Sequence, residues 1–360
     1  LENKKSEDDQ MNEKIKVAVL FGGCSSEYGV SLESAYGVLC HMDRSRYDPV
    51  LVGISPDGAW FHYTGDMEKI PTDAWRDTQN CAPAMIAPGR NTKGLLAMGA
   101  NGLEVIHLDA AFPVLHGKNG EDGTVQGLFQ LAGVPLVGCG VLASALCMDK
   151  DRAHRLARAA GAAVPNSFAL TRSTDADRAL TCAQALGYPL FVKPVKAGSS
   201  YGITKVLEPG QLSTALQLAF TYDDEAILEE CISGFEVGCA VLGNDELIVG
   251  ELDEIELSGG FFDYTEKYTL KTSAIHVPAR IPPVKAEEIK ETAKNIYRAL
   301  GCRGFARVDL FLDAQGRIVF NEVNTIPGFT AHSRYPNMMK AAGIPLEQVI
   351  STVIELAVGR

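Results

Sequence analysis

The chain has 360 residues, 46% of them hydrophobic and 22% charged, with 35 glycines and 17 prolines spread along it and a formal net charge of −12. This composition excludes collagenous, low-complexity and disordered classes, and the length exceeds what one hydrophobic core usually serves, so two or three domains are expected. An acidic chain without basic blocks suits neither nucleic acid nor an anionic membrane surface, and no apolar run reaches the roughly 20 residues of a membrane span.

Residues 1–10 are polar and precede Met11, which reads as the natural start. They are taken as a disordered or vector-derived tail outside the fold, and no secretory leader is visible. "KIKVAVLFGG" then has the short, Val-rich, Gly-terminated form of a buried parallel strand. A helix over "SLESAYGVLCHM", opened by Ser31 or by Glu33 and Ser34, and a second strand in "DPVLVGIS" follow. That order implies an open α/β sheet. A strand ending at His116, a glycine-punctuated loop and a helix continue the sheet, and the pattern turns helical from Cys139 to Lys150. "YPLFVKPVKAGSSYGITKV" joins two β-rich runs through a Lys, Gly and Ser loop, the signature of a hairpin. Antiparallel strands are expected in "AILEECISGFEVGCAVLG" and "ELIVGELDEIEL", then a long loop over 257–274 dense in aromatic and charged residues. An amphipathic helix over "PVKAEEIKETAKNIYRALG", a hairpin over 307–324 and a helix in "PLEQVISTVIELAVG" complete the chain. The nine cysteines are dispersed without a C-x-x-C pair. They read as small apolar residues in a reducing cytosol, so a cytoplasmic location is expected.

Two stretches carry the chemistry. With Asp313 to Gly316 as a four-residue turn, residue 307 faces 322 and 309 faces 320, so Arg307, Asp309, Glu322 and Asn324 project from one side of the sheet. A slip of one residue would scatter them. Two carboxylates and an amide oxygen suit Mg²⁺, which keeps waters and shares phosphate oxygens as ligands; the other reading is a solvated surface ion pair. Lys193 ends an apolar strand, and "KAGSSYG" after it offers N–H groups and hydroxyls able to cover phosphates. The chain has no Walker A sequence and no kinase H-R-D or D-F-G, and "FGGCSSE" is not G-x-G-x-x-G.

From Met11 onward the motifs "FGGCSSEYGVSLES", "HGKNGEDGTVQG", "SALCMDKDRAH", "LFVKPVKAGSS", "FFDYTEKY", "GFARVDLF" and "FNEVNTIPGFTAHS" stand in order. In these the chain resembles the ATP-grasp D-alanine:D-alanine ligases, including the vancomycin-resistance branch that makes D-alanyl-D-serine. The resemblance implies a mixed α/β and α+β architecture of three domains. These are an N-terminal open α/β substrate-binding domain over 11–138, a central ATP-grasp subdomain over 139–234 and a C-terminal metal-binding domain over 235–360, with ATP between the last two.

The resemblance also implies roles. Lys150 and Lys193, with Ser199 and Ser200 of the glycine loop, contact nucleotide phosphates, and Glu229 and Glu236 flank adenine and ribose. Asp309, Glu322 and Asn324 hold two Mg²⁺ ions, for which Mn²⁺ can substitute. Arg307 and the Gly328 N–H serve the oxyanion of acyl transfer. Glu27 takes the ammonium of the first D-alanine, His116 contacts that substrate, and Ser199 and Tyr268 join Glu27 in a hydrogen-bonded chain that ties the long loop over the site. Tyr264 reads equally well as packing. Ser333 and Lys267 bind the carboxylate of the second substrate.

Where ligases joining two D-alanines typically carry Leu or Met after that serine, this chain has Arg334, and Phe262 stands where Tyr is common. A guanidinium beside a methyl group gains nothing, whereas beside a hydroxymethyl group it donates a hydrogen bond. With Asp253 completing the pocket or orienting Arg334, the expected acceptor is D-serine. The alternatives are a housekeeping D-alanine:D-alanine ligase, with Arg334 in a structural salt bridge, and a catalytically silent nucleotide-binding regulator. The D-lactate branch typically lacks the Lys267–Tyr268 pair. Family members are commonly dimers, so a homodimer is expected.

Overall fold

The computed structural model describes residues 14–99, 102–257, 273–330 and 332–359. In chain order the first sheet is built from β1 (Ile15–Gly22), helix α1 (Tyr28–His41), β2 (Tyr47–Ile54), β3 (Trp60–Tyr63), β4 (Cys81–Ile86), β5 (Gly94–Gly99), β6 (Gly102–His107) and β7 (Ala110–Pro113), followed by α2 (Thr124–Ala132). The strand order is β6-β5-β4-β3-β2-β1-β7, with β1 parallel to both β2 and β7. β1 is central and covered on both faces, which is why Val17 to Phe21 form an unbroken apolar run with no exposure. The antiparallel extension β3–β6 has no counterpart in the sequence reading; prolines and glycines interrupt its short strands.

Helix α1 starts at Tyr28, three residues before Ser31. Ser31 is no cap. It is fully buried, accepts from Gly22 N at 2.9 Å and donates to the Val114 carbonyl, stapling the end of β1 to the strand exit that leads to His116.

Next come α3 (Val141–Met148), α4 (Lys150–Ala159), β8 (Ser167–Thr171), α5 (Ala176–Leu186), β9 (Leu190–Pro194), β10 (Thr204–Val206), α6 (Leu212–Ala219) and β11 (Glu225–Glu230). The four strands order as β10-β9-β11-β8. The third sheet comprises β12 (Gly234–Gly243), β13 (Leu247–Val249), β14 (Asp253–Leu257), β15 (Ser273–His276), β16 (Phe305–Asp313) and β17 (Ile318–Asn324), flanked by α7 (Pro283–Ala299), α8 (Arg334–Ala341) and α9 (Leu346–Val358). Cys139, Ala143, Cys147, Ala153 and Ala157 of the α3–α4 region share a core with Val237, Val308 and Phe320 of this third sheet. We therefore propose that the central unit proper begins near Pro165 and ends at the turn before Gly234. Helix α9 packs with α1 and β1, so the C-terminal segment also completes the first core. Among the described residues no single helix is long and apolar enough to cross a membrane.

The β16–β17 register corrects the expected one. Leu312 faces Ile318, because the connection is the three residues Ala314–Gly316, with Gly316 at φ +77°. That shift alone would send Asp309 and Glu322 to opposite faces. A bulge at Asn321 adds a second shift, so Asp309 faces Glu322 and Arg307 faces Asn324. Two one-residue displacements restore the shared face.

Asp313 fixes the turn: its carboxylate accepts from the Gln315 and Arg317 N–H groups at 3.0 and 2.8 Å and from Arg317 Nε at 3.0 Å. The Arg317 backbone N–H, followed by its side chain, holds the Asp313 carboxyl below the ordinary carboxylate range. A depressed acid contributes stability above its unfolded pKa of about 4 and loses it as pH falls through the folded value. Asp313→Ala should lower the thermal midpoint by a few degrees at pH 7, with the difference from wild type shrinking below about pH 4; equal midpoints at pH 7 would show that the turn does not depend on this carboxylate.

Candidate active site

Between the second and third sheets lies a cavity of about 540 Å³, lined by Lys150, Lys193, Ser200, Glu229, Glu236 and Glu322 together with apolar Phe191, Ile203 and Phe311 and the segment Glu230–Phe235. Lys193 pairs with Glu229 across β9 and β11. Burial would raise the Glu229 carboxyl, but Lys193 and then His154 outweigh it and hold it low, so it stays ionised. Glu229 Oε1 is buried without a hydrogen-bond partner, 3.8 Å from the equally orphaned His154 Nδ1. Lys150 donates to the Ala197 carbonyl at 2.7 Å and stands 3.8 Å from Glu322 Oε2. Lysines, a serine hydroxyl, apolar side chains and carboxylates lining one cavity fit a nucleoside triphosphate.

At the inner end the hairpin side chains meet as its register dictates. Arg307 donates to both oxygens of Asp309 at 2.8 and 2.7 Å, and Asn324 Nδ2 donates to Asp309 Oδ2 at 2.9 Å. Asp309 is 1% exposed. Burial works against the Arg307 cation, yet Asp309 outweighs burial and the repulsion of Arg334, so the guanidinium pKa is raised. Among the described residues no cluster of three or more His, Cys, Asp and Glu forms a closed metal cage. Two carboxylates and an amide oxygen beside the cavity that Glu322 lines instead match a hard cation that completes its shell with phosphate and water.

Arg334 opens α8 and is 8% exposed. Its Nε and Nη2 donate to the two oxygens of Asp253 at 2.7 and 2.8 Å, Nη1 donates to Glu236 at 2.7 Å, and Nη2 lies 3.5 Å from Asp309. Asp253 is fully buried and is itself fixed by Gly238 N at 2.8 Å. The Asp253–Arg334 fork is thus a rigid, planar pair. Glu236, expected beside a ribose, lines the cavity and reaches Arg334 as well.

The N-terminal sheet closes the site from the other side. Ser199 and Ser200 sit at φ 47° and 59°, a left-handed turn that carries the glycine loop to Glu27, where the Ser199 hydroxyl donates to Oε1. Gly198 passes so close that a Cβ there would stand 3.0 Å from Glu27 Oε2. His116, expected to touch the first substrate, has both ring nitrogens on protein partners: Nδ1 lies 2.9 Å from the Ile326 carbonyl, and Nε2 lies 3.1 Å from Ser34 Oγ. Burial pushes its pKa down, against Glu27 and Ile326, so the ring is neutral, with the proton on Nδ1 assigned from the carbonyl it faces. Both ring nitrogens of His116 are thus engaged by the protein, which leaves the faces and edge of the ring for the expected contact with the first substrate. Gly328 has no room for a side chain: a Cβ would meet Ser333 Oγ at 2.6 Å. Ser333 in turn accepts from Thr330 N at 3.0 Å. Phe262, Tyr264, Lys267 and Tyr268 lie outside the described residues.

Family models for the D-ala D-ala ligase N-terminus and C-terminus match residues 16–139 and 156–355. The chain belongs to the D-alanine:D-alanine ligase family. As a member of it, this chain is an ATP-dependent ligase with the ATP-grasp fold, acting on D-alanine and related substrates. It is similar to the solved VanG D-Ala:D-Ser ligase from Enterococcus faecalis, at 55% identity and TM-score 0.89, over 96% of this chain and all of that one, 100%. It is 48% identical to the vancomycin B-type resistance protein VanB of Enterococcus faecalis over 96% of this chain and 99% of that protein. It is also 44% identical to a D-alanine–D-alanine ligase of Caldicellulosiruptor bescii over 96% of this chain and 95% of that protein.

In this ligase the residue that sequence reasoning missed is Glu121. Its two oxygens accept from Gly117 N at 2.9 Å and Ile326 N at 3.0 Å. Burial and the charge of Glu27 push its carboxyl up to about 8. It lies inside the motif "HGKNGEDG", and an acid in a glycine loop was the available signal.

Removing Asp253 would leave Arg334 buried beside fewer countercharges. Asp253→Ala should cost about 3–5 kcal/mol in denaturant unfolding, and adding Arg334→Met should return part of it. A cost under about 1 kcal/mol would mean that water replaces Asp253 around Arg334.

Proposed function

We propose that this ligase joins D-alanine to D-serine at the expense of ATP, giving an altered peptidoglycan-precursor dipeptide of the glycopeptide-resistance type. The observation that carries the reading is Arg334, held in a fixed orientation by Asp253 and Glu236 beside Ser333, where an apolar residue would suit a second D-alanine. The similarity to a structure described as a D-Ala:D-Ser ligase supports it.

In this reading Glu27 holds the ammonium of the first D-alanine and Ser199 fixes Glu27. Lys150 and Lys193 grip the phosphates in the cavity they line, with Ser199 and Ser200 covering them and Glu229 and Glu236 flanking adenine and ribose. Asp309, Glu322 and Asn324 would hold two Mg²⁺ ions, or Mn²⁺ in their place, supplying charge neutralisation at the triphosphate. A carboxylate oxygen of D-alanine attacks the γ-phosphorus as the bond to ADP breaks, giving D-alanyl phosphate. The neutral amine of D-serine then attacks the acyl carbon, phosphate leaves, and the amine loses a proton. Arg307 Nη1 and the Gly328 N–H face the oxyanion of that second step. The Ser333 hydroxyl, with Lys267, takes the acceptor carboxylate, and Arg334 donates to the acceptor hydroxyl.

A need for ATP supports a cytoplasmic location in this reading, and a homodimer, carried over from the family, would show as a mass near twice 38.6 kDa in light scattering.

Phosphate release with ATP, Mg²⁺ and D-alanine, with and without equimolar D-serine, followed by mass identification of the dipeptide, tests the reading. Mainly D-alanyl-D-serine is expected. Arg334→Leu should shift the preference toward D-alanine by roughly 5- to 150-fold, the range of one pocket hydrogen bond worth about 1–3 kcal/mol. An unchanged preference would return Arg334 to a purely structural ion pair.

A further inference from the structure

The loop His116–Glu121 touches both halves of the reaction centre. Toward the first substrate, Ser25 Oγ donates to the His116 carbonyl at 2.7 Å and accepts from Glu27 N at 3.1 Å. Toward the acyl-transfer loop, the loop holds both polar groups of one peptide residue. Ile326 N donates to Glu121 Oε1 at 3.0 Å, and the Ile326 carbonyl accepts from His116 Nδ1 at 2.9 Å. Ser34 of α1 closes the circuit, accepting from Phe329 N at 3.3 Å while its own proton goes to His116 Nε2 at 3.1 Å. The bonds to Ile326 and Phe329 join segments more than 200 residues apart in sequence, with Ile326 separated from Glu121 by 205 positions and from His116 by 210, and Phe329 from Ser34 by 295.

Gly328 stands between the two gripped residues, Ile326 and Phe329, both buried. Its loop begins at Asn324, the end of β17, and runs to Ser333, which precedes α8. The direction of the Gly328 N–H is therefore set at both flanks from the N-terminal sheet. We propose that Glu121 is a positioning residue for acyl transfer: together with His116 and Ser34 it fixes the Ile326–Phe329 segment at a set distance from Glu27, and so aims the Gly328 N–H at the carbonyl of the bound first substrate. The proposal rests on the functional reading above, in which Glu27 and Gly328 meet the same substrate.

The chemistry requires a carboxyl group. Two N–H donors converge on Glu121, and each of its oxygens keeps a lone pair for one of them whether or not the group carries a proton. A glutamine in its place has a single acceptor and turns an NH₂ toward an N–H. Misplacing a reacting geometry by about 1 Å can lower a rate roughly 100-fold.

The test compares wild type, Glu121→Gln and Ser34→Ala by steady-state kinetics, nucleotide titration and thermal unfolding, with D-alanine as first substrate and D-serine or D-alanine as acceptor. Both variants should lose roughly 10- to 100-fold in kcat while ATP affinity stays within about twofold of wild type, and the ADP formed per dipeptide should rise as poorly transferred acyl phosphate is hydrolysed. Unchanged kcat in both variants would overturn the proposal. So would a parallel fall of kcat, ATP affinity and unfolding midpoint, which marks a structural role only. A wild-type protein that makes no dipeptide would instead remove the functional reading itself.

Discussion

Asp309 is the point on which the site depends. A carboxylate 1% exposed needs charged or hydrogen-bonding neighbours in every direction, and it has them: Arg307 across both oxygens, Asn324 on one, and Arg334 at 3.5 Å. Residues around it reach different parts of the site. Asn324 starts the loop to Gly328, Arg334 leads to Asp253 and Glu236, and Glu322 opposite Asp309 reaches Lys150. The buried charges orient one another, and in the proposed reading the nucleotide, metal and acceptor pockets share one electrostatic framework.

Three sheets meet around that framework because no single one could surround it. The second sheet supplies Lys193 and the glycine loop, the third supplies the carboxylates, and the first reaches in through Glu27 and the His116–Glu121 loop. Packing of α9 on α1 and of Phe305 and Phe329 on Phe112 makes the first and third sheets one body around the acyl-transfer loop. The second sheet reaches the first through the glycine loop, whose left-handed turn at Ser199 and Ser200 brings the Ser199 hydroxyl to Glu27.

What the sequence made legible follows from local physics. β1, β9 and β16 are apolar runs of strand length, and the last hairpin carries charges at alternate positions, so their existence and shared face could be read directly. The register could not. The bulge at Asn321 depends on partners far along the chain: the Asn321 carbonyl accepts from His154 Nε2 at 2.8 Å, and Phe320 N donates to the Ala163 carbonyl at 2.8 Å. Ser31 misled for the same reason, since a serine at a helix start is ordinarily a cap and here is a buried staple. Motif resemblance named Glu27, His116 and Arg334; only the fold could show that His116 holds a peptide and that Glu121 works beside it.

In the proposed reading, Arg334 illustrates how acceptor selectivity is built without sacrificing stability. A lone arginine in the acceptor pocket would carry an unpaired buried charge, which folding does not tolerate. Asp253 removes that difficulty by a two-point fork, Glu236 adds a third bond, and the guanidinium is left in one orientation. Five N–H donors against three such bonds leave donor capacity for a ligand. The same pairing means that the specificity of the acceptor pocket belongs to the set rather than to one side chain. Replacing Arg334 alone leaves Asp253 with only the Gly238 N–H, and replacing Asp253 alone leaves Arg334 with Glu236 and Asp309. In the proposed reading, a change of Arg334 alone alters acceptor preference at a cost in stability, because it leaves Asp253 a buried carboxylate with fewer partners.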